Sequence, residues 1–227
     1  MKATYKRRNF LFKIPGGTSR GVLHSKDSWF LTLTDDLKTG LGECSIIEGL
    51  SIDDLSGFES KLEWLCLNIN KHPSYLFVEL SNYPSIVFGL EMALRSLNSL
   101  KENVLFSSDF TEGKDSIPIN GLVWMGEIDF MKKQVESNIS KGYNCIKLKI
   151  GALDFDKEFA LLKSIRDKYD PSELEIRLDA NGAYSYKDSM SILNKLSKLS
   201  IHSIEQPIKA GQIKYMSVLC LNSPIPI

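Results

Sequence analysis

The stretch Cys145-Ile146-Lys147-Leu148-Lys149-Ile150-Gly151 constrains this chain more than any other. It alternates as a strand does, with Ile146, Leu148 and Ile150 on one face and Lys147 and Lys149 on the other. On a wet face two ammonium groups need no partner. On a face turned inward they need carboxylates or a metal-bound anion close by. The next two strand-like segments carry carboxylates. In Leu174-Glu175-Ile176-Arg177-Leu178-Asp179 the apolar residues again alternate with charge, and in Ser203-Ile204-Glu205-Gln206-Pro207 Ile204 opposes Glu205. Lys149 and Asp179 stand about 30 residues apart and Asp179 and Glu205 about 26, close to the roughly 31 residues per βα unit of a barrel of about 250 residues. Parallel strands at that spacing would turn their apolar residues toward covering helices. Lys147, Lys149, Arg177, Asp179 and Glu205 would then meet at one rim.

The rest of the chain agrees with a globular protein that buries a real core. Its 227 residues are 43% hydrophobic and 25% charged. With 28 basic and 28 acidic residues the formal charge is zero, which argues against a dedicated surface for nucleic acid or an anionic membrane. No stretch approaches the roughly 20 apolar residues of a membrane span. Cys44, Cys66, Cys145 and Cys220 form no CxxC pair, so they read as reduced thiols of a cytoplasmic protein rather than a disulfide framework or a zinc site. Nothing in the sequence sets an oligomeric state.

In chain order, a first strand is expected over 3–14 and a loop at Pro15-Gly16-Gly17-Thr18-Ser19, which lacks the lysine and spacing of a phosphate loop. Strands at 20–25, 28–34 and 41–47 complete an antiparallel meander, and helices follow at 57–70 and 84–100. The polar stretch 107–116 reads as a linker. Strands first and helices second describe a small α+β domain over 1–112. From 113 to 227 the rhythm is strictly β and α in turn. Strands fall at 117–120, 145–150, 174–179 and 203–207. Helices fall between them, one capped by Asp154 and one opened by the capping box Ser185-Tyr186-Lys187-Asp188. Ser223-Pro224-Ile225-Pro226-Ile227 reads as the start of a fifth strand. The fold class is therefore an α+β N-terminal domain followed by an α/β partial (β/α)8-type, TIM-like barrel cut in its fifth strand. The expectation is a chain truncated at its C-terminus. His24, His72 and His202 fall outside the charged constellation, and Trp29, Trp64 and Trp124 read as core residues.

Carboxylates on consecutive strand ends make an oxygen site for a hard cation, for which Mg²⁺ is the default choice. A lysine beside that cation and partly buried is a plausible base. Mg²⁺ on a substrate carboxylate, with lysine removing the adjacent carbon-bound proton, makes a coherent mechanism. Taken singly the same residues have plainer readings. The lysines could be the wet face of an edge strand, Asp179 a turn cap, and Glu205 a strand-end charge.

Together, Lys147-x-Lys149, Leu178-Asp179-Ala180-Asn181-Gly182 and Ile204-Glu205-Gln206-Pro207 resemble the enolase superfamily in its muconate-lactonising branch. The stretches from Pro84 to Glu91, from Ile119 to Gly126 and from Arg177 to Asn181 are similar to the o-succinylbenzoate synthase family within it. That resemblance implies an N-terminal domain that caps the barrel, with the Gly16-Gly17 region as a lid. It also implies Mg²⁺ held by Asp179 and Glu205, Lys149 as acid and base with Lys147 assisting, and Arg177 and Asn181 near a small-molecule carboxylate substrate. The implied reaction is dehydration of a succinyl-hydroxycyclohexadiene carboxylate through an enediolate, in menaquinone synthesis. The family's third carboxylate ligand and its opposite lysine would lie beyond Ile227, so these 227 residues by themselves are expected to be inactive. The alternatives are another enzyme of the branch, a dipeptide epimerase or a cycloisomerase, or an inactive fragment.

Overall fold

The structure is a computed structural model, and it describes residues 1–18, 21–53, 56–101 and 104–227. Two compact units divide the chain, Met1–Ile117 and Pro118–Ile227. The N-terminal unit is built on an antiparallel sheet in the order β1 (Lys2–Thr18), β2 (Gly21–Thr34), β3 (Thr39–Ser45). Period-2 alternation puts Trp29, Leu31 and Leu33 of β2 on its buried face, beside Ala3 of β1 and Cys44 of β3. Helices α1 (Phe58–Asn68), α2 (Pro73–Glu79) and α3 (Pro84–Asn98) cover that face with Phe58, Leu62, Leu65, Leu76, Ile86, Leu90 and Ala93. Helix α3 lies against β3 at glycine-to-glycine distance: a Cβ on Gly42 would stand 1.9 Å from the Gly89 carbonyl oxygen. The buried Asp53 carboxylate accepts from Ser85 N at 2.9 Å and Ser85 Oγ at 2.8 Å, satisfying a free N–H at the start of α3.

Three expectations in this unit need correction. The strands expected at 20–25 and 28–34 are one continuous strand. β1 runs on through Pro15 and Gly16 to Thr18, with the register slipping between Leu11 and Gly16 where the proline cannot donate to the ladder. Ser19 of the expected loop, and Arg20 at the expected start of the next strand, lie outside the described residues. Helix α2 was not anticipated, although His72 accepts from Ser74 N and Pro73 opens the first turn.

The C-terminal unit alternates β4 (Gly121–Val123), α4 (Ile128–Ser140), β5 (Cys145–Lys149), α5 (Phe155–Lys168), β6 (Glu175–Asp179), α6 (Tyr186–Leu196), β7 (Ser203–Glu205) and α7 (Ile213–Asn222). Its sheet is wholly parallel in the order β4-β5-β6-β7, the succession of a partial TIM-like barrel. Val123, Ile146, Leu148, Ile176, Leu178 and Ile204 are buried and pack with helix residues such as Met131, Val135, Leu162, Ile165, Leu193 and Leu219. That apolar face belongs to the helices, and the charged residues take the other. The first strand begins at Gly121 rather than in 117–120, whose Ile117 and Ile119 are exposed. Residues 223–227 form no strand of their own; Ile204 N donates to Pro226 O at 2.9 Å, so the segment runs beside β7.

Candidate active site

Parallel pairing stacks the charged residues in levels. Lys147 pairs with Arg177 and Arg177 with Ser203; one level on, Lys149 pairs with Asp179 and Asp179 with Glu205. Because all four strands run the same way, the upper level lies at their C-terminal ends, where the chain turns into loops. Sequence reasoning therefore found residues that the structure does bring together: Lys147, Lys149, Asp179 and Glu205.

Lys147 Nζ lies 3.3 Å from Asp179 Oδ2 and makes a short hydrogen bond to Glu205 Oε2, and Lys149 Nζ lies 3.5 Å from the same Asp179 oxygen. The Asp179 side chain is 6% exposed, while Glu205 is 61% exposed. Burial works against the Lys147 ammonium, but the Glu205 and Asp179 carboxylates outweigh it and raise its pKa above the usual lysine value. Lys147 is thus held charged between the two carboxylates. The other Asp179 oxygen, Oδ1, accepts from Asn181 N at 3.1 Å and Asn181 Nδ2 at 3.0 Å. Asn181 has φ of 48° and Gln206 has φ of 44°, so a left-handed turn follows closely on each carboxylate.

The loop after Lys149 is held from below by a residue that sequence reasoning missed. Glu158 of α5 is buried, and its carboxylate accepts from Gly151 N at 2.8 and 2.9 Å and from Leu153 N at 3.1 Å. Burial pushes the Glu158 carboxyl up, against the pull of those N–H groups. Gly151 itself, at φ of +90°, leaves no room for a side chain: a Cβ would stand 2.3 Å from Ala183 Cβ. The available signal was an acidic residue at a helical position otherwise turned to the core.

Arg177 shares the charged face but sits a level lower, where its Nε donates to Glu175 Oε1 at 2.6 Å. Cys145 Sγ donates to the same oxygen at 3.3 Å, and burial followed by that bond raises its thiol pKa to about 11, which leaves it a poor nucleophile at neutral pH. Trp124, expected in a core, is 41% exposed at the end of β4.

Two hard oxygen donors on adjacent strand ends that converge on one cation are a set that Mg²⁺ accepts, since Mg²⁺ is bound through one or two carboxylates and otherwise through water and substrate oxygens. Among the described residues no group of three or more His, Cys, Asp or Glu is arranged around a metal. A cavity of about 490 Å³ in the N-terminal unit is lined by Arg7, Asp27, Trp29 and Glu59, among others, but these groups are already paired with one another and offer no reactive constellation. Among the described residues no helix is long and apolar enough to cross a membrane.

Comparison with known proteins gives consistent findings. The Enolase C-terminal domain-like family matches residues 130–227. Over the whole chain the sequence is 43% identical to an o-succinylbenzoate synthase from Desulfotalea psychrophila, 70% of which it covers. The crystal structure of MenC from Desulfotalea psychrophila matches with a TM-score of 0.85 at 38% identity, over 99% of this chain and 69% of that one. An o-succinylbenzoate synthase from Thermosynechococcus elongatus, complexed with Mg in its active site, matches with a TM-score of 0.79 over 98% of this chain and 66% of that one. At 22% identity the latter likeness speaks for the fold alone.

Proposed function

This chain belongs to the o-succinylbenzoate synthase family of the enolase superfamily, and from that premise we propose that it is a Mg²⁺-dependent lyase that dehydrates a succinyl-hydroxycyclohexadiene carboxylate to o-succinylbenzoate in menaquinone synthesis. The observation that carries the reading is the level Lys149–Asp179–Glu205, with Lys147 reaching both carboxylates from the level below. Lys149 is the general base. Its amine takes the proton from the ring carbon that bears the carboxylate, and the electron pair moves toward that carboxylate as an enediolate. The same nitrogen then returns the proton to the hydroxyl departing from the neighbouring carbon on the same face. Water leaves, the ring becomes aromatic and Lys149 ends as it began. Lys147, held as an ammonium, offers positive charge to the oxygens on which negative charge develops. Asp179 and Glu205 hold the metal, and Mg²⁺, when bound, supplies Lewis-acid stabilisation of the substrate carboxylate. Asn181 keeps the Asp179 carboxylate aimed, through its two hydrogen bonds to Oδ1. Arg177, one level lower, is the residue we assign to the substrate carboxylate, and it would have to leave its bond to Glu175 to reach it.

The test is Mg²⁺-dependent formation of o-succinylbenzoate by the full natural polypeptide, followed by its aromatic absorbance. Asp179→Asn and Glu205→Gln should weaken Mg²⁺ binding in calorimetry and lower turnover together, with the larger loss at the buried Asp179. Mg²⁺ affinity unchanged in both variants would remove these residues from the metal site. Epimerisation of dipeptides without any o-succinylbenzoate formed would move the chain to another activity of the same branch.

A further inference from the structure

Trp124 follows Val123, and Val123 pairs with Leu148, so Trp124 stands level with Lys149. The level of charged residues at the strand ends thus continues onto β4. Read across the four strands it runs indole, ammonium, carboxylate, carboxylate: Trp124, Lys149, Asp179, Glu205. Lys149 Nζ lies 5.7 Å from the centroid of the Trp124 ring, within the roughly 6 Å over which an aromatic face attracts a cation.

The backbone under this indole is fixed in an unusual way. Gln134 of α4 accepts from Trp124 N at 3.0 Å and donates to Trp124 O at 3.1 Å, so one side chain takes up both polar groups of the residue that leaves the strand. One turn further along the same helix, Asn138 Nδ2 donates to Leu122 O at 2.9 Å. Residues four apart share a helix face, and here that face grips the end of β4. A large aromatic residue is therefore held by both polar groups of its backbone while the residue stays 41% exposed beside the catalytic lysine. A partly exposed aromatic side chain on an anchored backbone, next to cationic and carboxylate groups, is suited to a ligand with a flat unsaturated ring at one end and a carboxylate at the other.

We propose that Trp124 is a specificity-determining residue. Its indole receives the unsaturated six-membered ring of the substrate while the substrate carboxylate meets the charged end of the level, and Gln134 is the positioning residue that holds the indole there. This inference rests on the lyase reading and deepens it. An open-chain dipeptide would have no ring to lay on Trp124, so the residue separates the two activities by chemistry.

The experiment uses o-succinylbenzoate, the ring-bearing product, as the probe, with succinate as a ring-free carboxylate control, both in Mg²⁺. Titration of the full natural polypeptide with o-succinylbenzoate should quench tryptophan emission, and Trp124→Phe should abolish most of the quench while keeping an aromatic face and near-normal affinity. Trp124→Leu should lose roughly 3- to 10-fold in o-succinylbenzoate affinity, the worth of one aromatic pair, and should raise KM more than it lowers kcat. Gln134→Ala should shift KM in the same direction by less and lower the anisotropy of Trp124 emission. Succinate affinity and Mg²⁺ affinity should not change in any of these variants, which separates loss of the ring contact from general damage to the site. Product affinity unchanged in Trp124→Leu, or a full quench retained in Trp124→Phe, would overturn the proposal and leave the lyase reading intact. A polypeptide that neither forms nor binds o-succinylbenzoate would overturn both.

Discussion

The two units use the same charged residue types to opposite ends. In the N-terminal unit charges pair off across an antiparallel sheet, Arg7 with Asp27 at 2.7 Å and Lys26 with Glu43 at 3.6 Å, while Glu59 of α1 accepts from the Trp29 indole N–H at 2.9 Å. In the C-terminal unit Lys149, Asp179 and Glu205 crowd one level of a parallel sheet, Lys147 reaches them from the level below, and both lysines approach one Asp179 oxygen. Strand direction is the cause. Antiparallel neighbours end at opposite edges, so their terminal side chains are dispersed. Parallel neighbours all end at the same edge, and any charge placed last on each strand is forced into company. Crowding of that kind is tolerated where it performs chemistry.

The largest expected effect breaks the comparison on its functional side. Lys149→Ala should lower turnover by about 10²- to 10⁴-fold, the worth of a positioned acid–base group, with Mg²⁺ binding retained. Thermal melting should move little, because the Lys149 ammonium shares its carboxylate with Lys147. Steady-state kinetics beside a melting curve checks both halves. Near-normal turnover would assign the base elsewhere.

Why this site was legible in the sequence follows from the same geometry. Alternation in Ile146-Lys147-Leu148-Lys149 and Ile176-Arg177-Leu178-Asp179 fixes which residues face the helices, and the spacing of one βα unit brings the strand ends side by side. Trp124 was misread because hydrophobicity by itself favours burial, whereas its place depends on β4 ending at Val123 and on the Gln134 contact, neither of which has a local pattern. Glu158 escaped notice for a related reason. Its partners Gly151 and Leu153 are backbone groups, invisible to side-chain pairing rules. In the N-terminal unit the joining of two expected strands into β2 reflects tertiary pairing with β1, which overrode the polar break at Lys26 and Asp27.

On the structural side, the N-terminal unit should be most sensitive where helix and sheet touch through glycine. Gly42→Ala directs a methyl group to within 1.9 Å of the Gly89 carbonyl oxygen and 2.9 Å of Ala93 N, and these are backbone atoms that cannot rotate away. We expect a loss of about 1–3 kcal/mol or more, typical of overpacking, read from the urea midpoint. An unchanged midpoint would show that α3 shifts freely from β3.

Glu158 joins the two sides of the comparison, as a buried charge that serves structure next to the site. Glu158→Ala leaves the Gly151 and Leu153 N–H groups without their buried acceptor, which should cost about 1–3 kcal/mol. Turnover should fall as well, by less than for Lys149→Ala, because the loop leaving Lys149 loses its anchor. A drop in stability with kcat unchanged would confine Glu158 to folding.

The smallest effect tests whether the N-terminal charges are as structural as their pairing suggests. Hydrogen bonds from Arg7 and then Asn9 hold the Asp27 carboxyl below the usual carboxylate range. Its folded pKa is therefore lower than its unfolded one, so its contribution to stability is present above the unfolded pKa and is lost as pH falls through the folded value. The Arg7 side chain is 56% exposed and screened by water, so Arg7→Ala should cost no more than about 1 kcal/mol at neutral pH. Melting curves of both proteins between about pH 7 and pH 3, a range that starts well above the usual Asp pKa of about 3.9 and ends below it, should show that difference shrinking as Asp27 takes up its proton. A difference that persists into acid would assign the role of Arg7 to its packing over the Trp29 ring, at 5.3 Å, and not to its charge. The two units would then differ still more sharply, with charge reserved for the parallel strand ends and the antiparallel sheet held by contact.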